Sequence, residues 1–150
     1  CGSETKKEFS QSTKKQDAVR RCFKGYDCKF IAKEKLKHIV SKEALNIDGL
    51  GKKVVENFWD LKMIRTPFDI YNLDYDKIKN LEGWGDLSVS NLKFSIEKSK
   101  NTTIDKLIYS LGIRHIGQES AKLISNTIKN IDNLLKIDNT YDFNILLNNQ

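Results

Sequence analysis

Ile47-Asp48-Gly49-Leu50-Gly51-Lys52-Lys53-Val54 decides the fold, because it comes back. Its glycines recur 34 residues on, in Leu81-Glu82-Gly83-Trp84-Gly85-Asp86-Leu87-Ser88. A third, weaker copy is Arg114-His115-Ile116-Gly117-Gln118-Glu119-Ser120-Ala121, whose glycine lies 32 residues beyond Gly85. The first two copies read apolar, acidic, Gly, apolar, Gly and then open a helix-like stretch. The third keeps the apolar-Gly step and has His115 where the others have their first glycine. Self-similarity at a period of roughly 20 to 50 residues marks an arrayed structural unit.

The spacing suits phosphate for reasons of backbone chemistry. Glycine reaches positive φ cheaply and lets another backbone come close. A helix that starts at the second glycine leaves its first N–H groups unpaired and presents the positive end of its dipole. Such donors match a phosphate oxygen. Leu50 and Trp84, between the glycines, and their counterpart Ile116 are expected to anchor each turn in the core between two helices. The predicted unit is a helix-hairpin-helix, a device for holding nucleic-acid backbone. A single copy would read more simply as a glycine turn with no ligand; repetition weighs against that.

The totals bound the rest. A chain of 150 residues holds one ordinary domain or two small ones. Its apolar content is adequate for a core. The single proline, Pro67, leaves room for long helices. No apolar run approaches the ~18 residues of a membrane span, and the N-terminus has no signal-peptide core, so no membrane partner and a cytoplasmic location are expected. The net charge of +6 is uneven. Residues 1–42 hold 12 Lys/Arg against 5 Asp/Glu, and residues 43–150 hold 14 against 15. The basic head suggests a polyanion partner, against the alternative of a solvated lysine face.

All three cysteines, Cys1, Cys22 and Cys28, fall in that head. In a cytosolic-looking chain they argue for metal rather than disulfide. Structural zinc takes four thiolate or imidazole ligands, and three thiolates leave one place open. His38 is a candidate for it, although Leu36-Lys37-His38-Ile39-Val40 reads as helix; a cysteine just upstream of Cys1 is the preferred expectation. Free buried thiols are the plain alternative.

Helical periodicity runs from Ala32 to Leu45, with Asn46 closing that helix, and from Gly51 to about Leu61. Thr66-Pro67-Phe68-Asp69 is a helix start with Thr66 as N-cap, Pro67 at N1 and Asp69 at N3. Asp74 caps another short helix. Long helices are expected from Asp86 to about Ser99 and from Gly117 to about Asn130, with one from Thr103 that Gly112 ends as a C′ glycine. A last short helix would carry Leu134, Leu135 and Ile137. The tail from Tyr141 to Gln150 has no clear period.

No arrangement with catalytic spacing stands out. Asn46-Ile47-Asp48-Gly49 resembles a Lys-x-Asp-Gly adenylation motif, but Asn46 has no amine to form a phosphoramide. Cys22 and Cys28 have no His nearby in sequence. The chain is read as non-catalytic by itself.

The residues resemble one family closely: bacterial NAD-dependent DNA ligase, in its zinc-finger and helix-hairpin-helix part. The head matches through Cys1-Gly2-Ser3, Val19-Arg20-Arg21-Cys22 and Cys28. Then follow Leu36 to Ser41, Ala44-Leu45-Asn46-Ile47-Asp48-Gly49-Leu50-Gly51 and Thr66-Pro67-Phe68-Asp69-Ile70-Tyr71. The last matches are Leu81-Glu82-Gly83-Trp84-Gly85 and Tyr109-Ser110-Leu111-Gly112-Ile113-Arg114-His115-Ile116-Gly117.

The resemblance implies a mainly α fold: a zinc-finger head over residues 1–31, incomplete at its start, and a helix-hairpin-helix domain over 32–150. Three hairpins are visible and a fourth is expected near or beyond Gln150. Cys1, Cys22 and Cys28 correspond to the second, third and fourth zinc cysteines, across a Cys1–Cys22 stretch longer than usual. The similar enzyme seals nicks in duplex DNA in replication and repair, with NAD as AMP donor and magnesium; its catalytic lysine and NAD site belong to domains absent here. Amides at Gly49, Gly51, Gly83, Gly85 and Gly117 would meet phosphates across the minor groove, with Lys52, Lys53, Arg114 and His115 as side-chain contacts. Binding would be independent of sequence and sensitive to salt, by a monomer. The other reading is a stand-alone hairpin module of another repair protein, which would generally lack the cysteine head.

Overall fold

An antiparallel ribbon opens the chain, and helices with their connecting turns make up the rest of the described residues. The computed structural model describes residues 1–10 and 14–135. Strand β1 is Thr5–Ser10 and β2 is Lys15–Cys22. Thr5 lies opposite Cys22, Lys7 opposite Arg20 and Ser10 opposite Lys15, with an irregularity between Lys7 and Phe9. The sequence reading contained no strands in the head. Cations on both faces of the ribbon hide the apolar alternation that marks a strand.

A 3-10 turn at Gly25–Asp27 leads into α1, Lys29–Val40. Then follow α2 (Lys52–Asp60), α3 (Pro67–Ile70), α4 (Tyr75–Lys79), α5 (Asp86–Ser99), α6 (Ile104–Ser110), α7 (Gln118–Ile128) and α8 (Ile131–Leu135). The helix expected to run to Leu45 stops at Val40. Ser41 turns extended, and the Ile39 and Val40 carbonyls accept from the N–H groups of Leu45 and Ile47 instead. Ala44 is buried as its periodicity demanded, but from a turn. At the other end α1 begins three residues before Ala32, with Cys28 as its N-cap. Asp69 caps α3 as expected, its Oδ2 accepting from the Thr66 N–H at 2.7 Å and the Arg65 N–H at 2.8 Å. Burial works against that carboxylate, but these bonds hold it below its ordinary range. Gly112, at φ +60°, follows α6 as its C′ glycine. Helix α7 stops at Ile128, two residues short of expectation, where Lys129 takes φ +67°. Ile137, the tail and any fourth hairpin lie outside the described residues.

Two apolar clusters organise the helices. The larger gathers Leu36, Leu50, Phe58, Ile78, Leu92 and Ile96 with others from α1 to α5. The smaller joins Ile108, Ala121 and Ile128 of α6 and α7. The first two hairpins therefore share a core, and the third has its own. His38 links the clusters: its Nε2 lies 2.8 Å from the Tyr109 carbonyl oxygen, and the two rings meet edge to face at 4.7 Å. Among the described residues no helix is long and apolar enough to cross a membrane.

Candidate nucleic-acid interface and metal centre

The three turns are built alike. In each, the N–H of the bulky residue donates to the carbonyl three residues back: Leu50 to Ile47, Trp84 to Leu81 and Ile116 to Ile113. In each, the residue before the bulky one has positive φ: Gly49 at +93°, Gly83 at +82° and His115 at +67°. That conformation favours glycine, and histidine is among the residues that tolerate it. In each, an extended glycine then caps a helix: Gly51 for α2, Gly85 for α5 and Gly117 for α7. The register inferred from sequence, with His115 standing for a first glycine, is the one the backbone adopts. Leu50 is buried at 2% exposure, whereas Trp84 and Ile116 are half-buried. Burying a leucine contributes about 1.5–3 kcal/mol. Trp84 stacks on Phe58 with ring centres 5.5 Å apart.

The first two turns stand side by side. The Asp48 N–H donates to Ser95 Oγ on α5 at 2.7 Å. Gly49 faces Leu92 so closely that a Cβ would meet Leu92 Cδ1 at 3.3 Å. Asp48, Gly49, Gly83, Trp84 and Ser88 line a shared recess of about 450 Å³. Gly51, Gly85 and Gly117 face open space, with nothing within 4 Å of an added Cβ.

Charge separates turns that the backbone makes equal. The first exposes Lys52 and Lys53 in the opening turn of α2, which has no acidic residue. The second places Asp86 there, and Lys79 Nζ holds its carboxylate at 2.5 Å. That contact raises the Lys79 pKa above its ordinary value. Ser88 Oγ also accepts from the Gly85 N–H at 2.9 Å, so this amide already has a partner. In the third, Arg114 pairs with Glu8 of β1, and His115 is exposed. Sequence reasoning missed Lys79, Asp86, Ser88 and Glu8. A serine three residues after the capping glycine was the one available signal, since N3 side chains reach back to the N-cap.

The cysteines converge although 20 residues separate the first two. The sulfurs of Cys1, Cys22 and Cys28 all lie within 4.8 Å of one another, and those of Cys1 and Cys22 are 3.8 Å apart. Thiolates on a tetrahedral zinc at about 2.3 Å would be spaced by about 3.8 Å. Strand pairing brings Cys22 beside Thr5 and so near Cys1, while the 3-10 turn returns Cys28 beneath them. The Ile31 amide at the start of α1 is the main influence lowering the Cys28 pKa, against burial. The three thiols can hold a metal ion. His38 is not part of this cluster; its Nε2 meets the Tyr109 carbonyl oxygen instead.

A family model of the helix-hairpin-helix motif matches residues 106–140. A DNA ligase of Pelagibacter ubique is 56% identical over 99% of this chain, which spans 22% of that ligase. One from Azorhizobium caulinodans is 39% identical over 89% of the chain and 19% of the ligase. One from Rickettsia bellii is 41% identical over 80% of the chain and 18% of the ligase. The chain thus spans about a fifth of the length of the curated relatives it matches. With this identity along nearly the whole chain, and hairpin turns built as the motif requires, the chain is a helix-hairpin-helix segment of a DNA ligase.

Proposed function

We propose that this segment holds the sugar-phosphate backbone of duplex DNA, without regard to sequence, for an NAD-dependent ligase that seals nicks. The observation that carries the reading is the threefold turn, with positive φ and then an extended glycine that caps a helix without a side chain of its own to take the first helix amides. Amides and a helix dipole so placed attract an anion. Contacts of this kind position a duplex and carry no sequence information. Lys52 and Lys53 add charge at the first turn, and His115 adds a donor at the third. No step of the chemistry is assigned to this segment: AMP transfer from NAD, with magnesium, belongs to the parent enzyme.

Cys1, Cys22 and Cys28 are assigned to a structural zinc, whose fourth ligand is a donor other than these. The metal would fix the base of the ribbon to the start of α1 and supply no catalysis.

Binding of the chain to a nicked duplex across a salt series tests the function. The wild type should bind with affinity falling steeply as salt rises. Gly51→Asp with Gly85→Asp should lose most of that affinity. The substitution is clean: both positions are open and have negative φ, and aspartate is a favoured N-cap. Unchanged retention of this variant on DNA would defeat the proposal.

A further inference from the structure

The third hairpin meets the first two across a thin seam. Leu36, Ile39 and Val40 commit one face of α1 to the larger apolar cluster. His38 leaves α1 on another face, half-buried, and reaches the end of α6. There its Nε2 lies 2.8 Å from the Tyr109 carbonyl oxygen. A carbonyl only accepts, so Nε2 carries the proton. That carbonyl belongs to the last turn of α6, where helix carbonyls lack partners within the helix and a histidine can supply one. It also takes the Gly112 N–H at 3.1 Å, which its second lone pair allows. Gly112 makes room for the ring, since a Cβ there would meet His38 Cδ2 at 3.3 Å. Beside this contact the seam is hollow. One recess of about 570 Å³ opens between α1 and the third turn, lined by Phe30, Leu111 and Ile113. Another, of about 600 Å³, is lined by Leu45 and Tyr71, which pack on the larger cluster, and by Ile104, which packs on the smaller.

We propose that His38 is a positioning residue, the latch that sets the angle of the third hairpin to the first two so that all three turns meet one duplex together. The proposal rests on the reading of the turns as a duplex-binding device and adds how they are aligned. Linked sites strengthen one another through effective concentration, and that gain is lost when one of them swings out of reach. Close-packed interiors fix orientation by interdigitation. A hollow seam does not, so the contacts that cross it must. Residues 100–103 join α5 to α6 and keep the two bodies adjacent, but each retains two soft dihedrals, so the connection chooses no angle. The Glu8–Arg114 pair ties the third turn to the ribbon rather than to α1, and as a partly exposed ion pair it weakens as salt rises. The imidazole is fixed more firmly, by its hydrogen bond, by the Tyr109 ring at 4.7 Å and by the seat that Gly112 leaves open.

The test uses the full 150-residue chain with His38→Leu, which removes the donor, and His38→Gln, which returns an N–H near the place of Nε2. Backbone-amide residual dipolar couplings are measured for α2 and α5 in one body and for α7 in the other. In the wild type both sets should fit a single alignment tensor. His38→Leu should need two tensors, and His38→Gln should return to one. At fixed salt His38→Leu should bind a nicked duplex roughly fivefold more weakly, the low end of coupling between sites, with His38→Gln within about twofold of wild type. Glutamine is neutral, so its recovery also rules out lost imidazole charge as the cause. A single tensor for His38→Leu overturns the proposal. So do two tensors that glutamine does not merge. Loss of the native amide spectrum of either body overturns it too, since His38 would then be a core support. A wild type that fails to bind duplex removes the function above, with the tensors still deciding the latch. A His38→Leu chain that needs two tensors yet binds as tightly as wild type removes the positioning role alone.

Discussion

The first and second hairpins have one backbone and opposite chemistry. Each has a positive-φ glycine, a bulky residue turned inward and an extended glycine capping a helix. At the first, α2 opens with Lys52 and Lys53, cations at the positive end of a helix dipole, which by itself disfavours the helix. At the second, α5 opens with Asp86, the charge that a helix start prefers, and Ser88 occupies the Gly85 amide. The second turn has satisfied itself, whereas the first is kept electrostatically incomplete. A bound phosphate would complete it. On the function proposed above, identical glycines give unequal anion sites, and the residues just after them set the difference.

The sharpest way to break this contrast is to give the first turn an acidic start. Lys52→Glu with Lys53→Glu should lower affinity for a nicked duplex roughly a hundredfold at low salt, through two lost phosphate contacts and two new repulsions. Helix α2 should gain, because carboxylates suit its N-terminus. Weaker binding with an equal or higher melting temperature is the expected pair of results. If affinity stays within twofold of wild type, the first turn is not where phosphate sits.

Much of this was legible in the residues, because the features concerned are local. A glycine-x-glycine step before a helix is a backbone requirement, as is Asp69 three residues after Thr66, and both appear in the structure where their spacing puts them. The convergence of Cys1, Cys22 and Cys28 followed from their type and confinement, although nothing local revealed the ribbon that achieves it. What stayed hidden depends on partners distant in sequence. His38 reads as one more residue of an amphipathic helix until Tyr109 is beside it. Arg114 reads as a side-chain contact to DNA until β1 delivers Glu8. The end of α1 at Val40 was invisible because Ala44 is buried at helical spacing from within a turn.

A smaller effect should come from relieving the second turn. Asp86→Asn removes the anion at the start of α5 and frees Lys79 from its 2.5 Å contact. Affinity for duplex should rise roughly two- to fivefold, the size of one charge at a helix end. Combined with the lysine reversal, it should recover part of the loss. An unchanged or lower affinity for Asp86→Asn would mean that the second turn stands away from the duplex and that its acidity answers only to the helix.

The third turn holds the same backbone with a side chain where the others have none. His115 at φ +67° accepts a conformation that costs an L residue about 1–2 kcal/mol. A glycine there would relieve that cost but forfeit about 0.5–1 kcal/mol through its freedom in the unfolded chain. His115→Gly should therefore leave the melting temperature nearly unchanged or slightly raised. The same exchange in reverse is closed to the first turn, where a Cβ on Gly49 would press on Leu92 at 3.3 Å. Because the turn can keep its geometry with glycine, its amides should face solvent as before. Any change in DNA affinity then belongs to the imidazole. A loss of roughly two- to threefold, about the worth of one weak hydrogen bond, is expected for a ring that touches the duplex. Equal affinity for the glycine variant would show that all three turns act through backbone alone, and that His115 is tolerated there because no neighbouring helix fills its place.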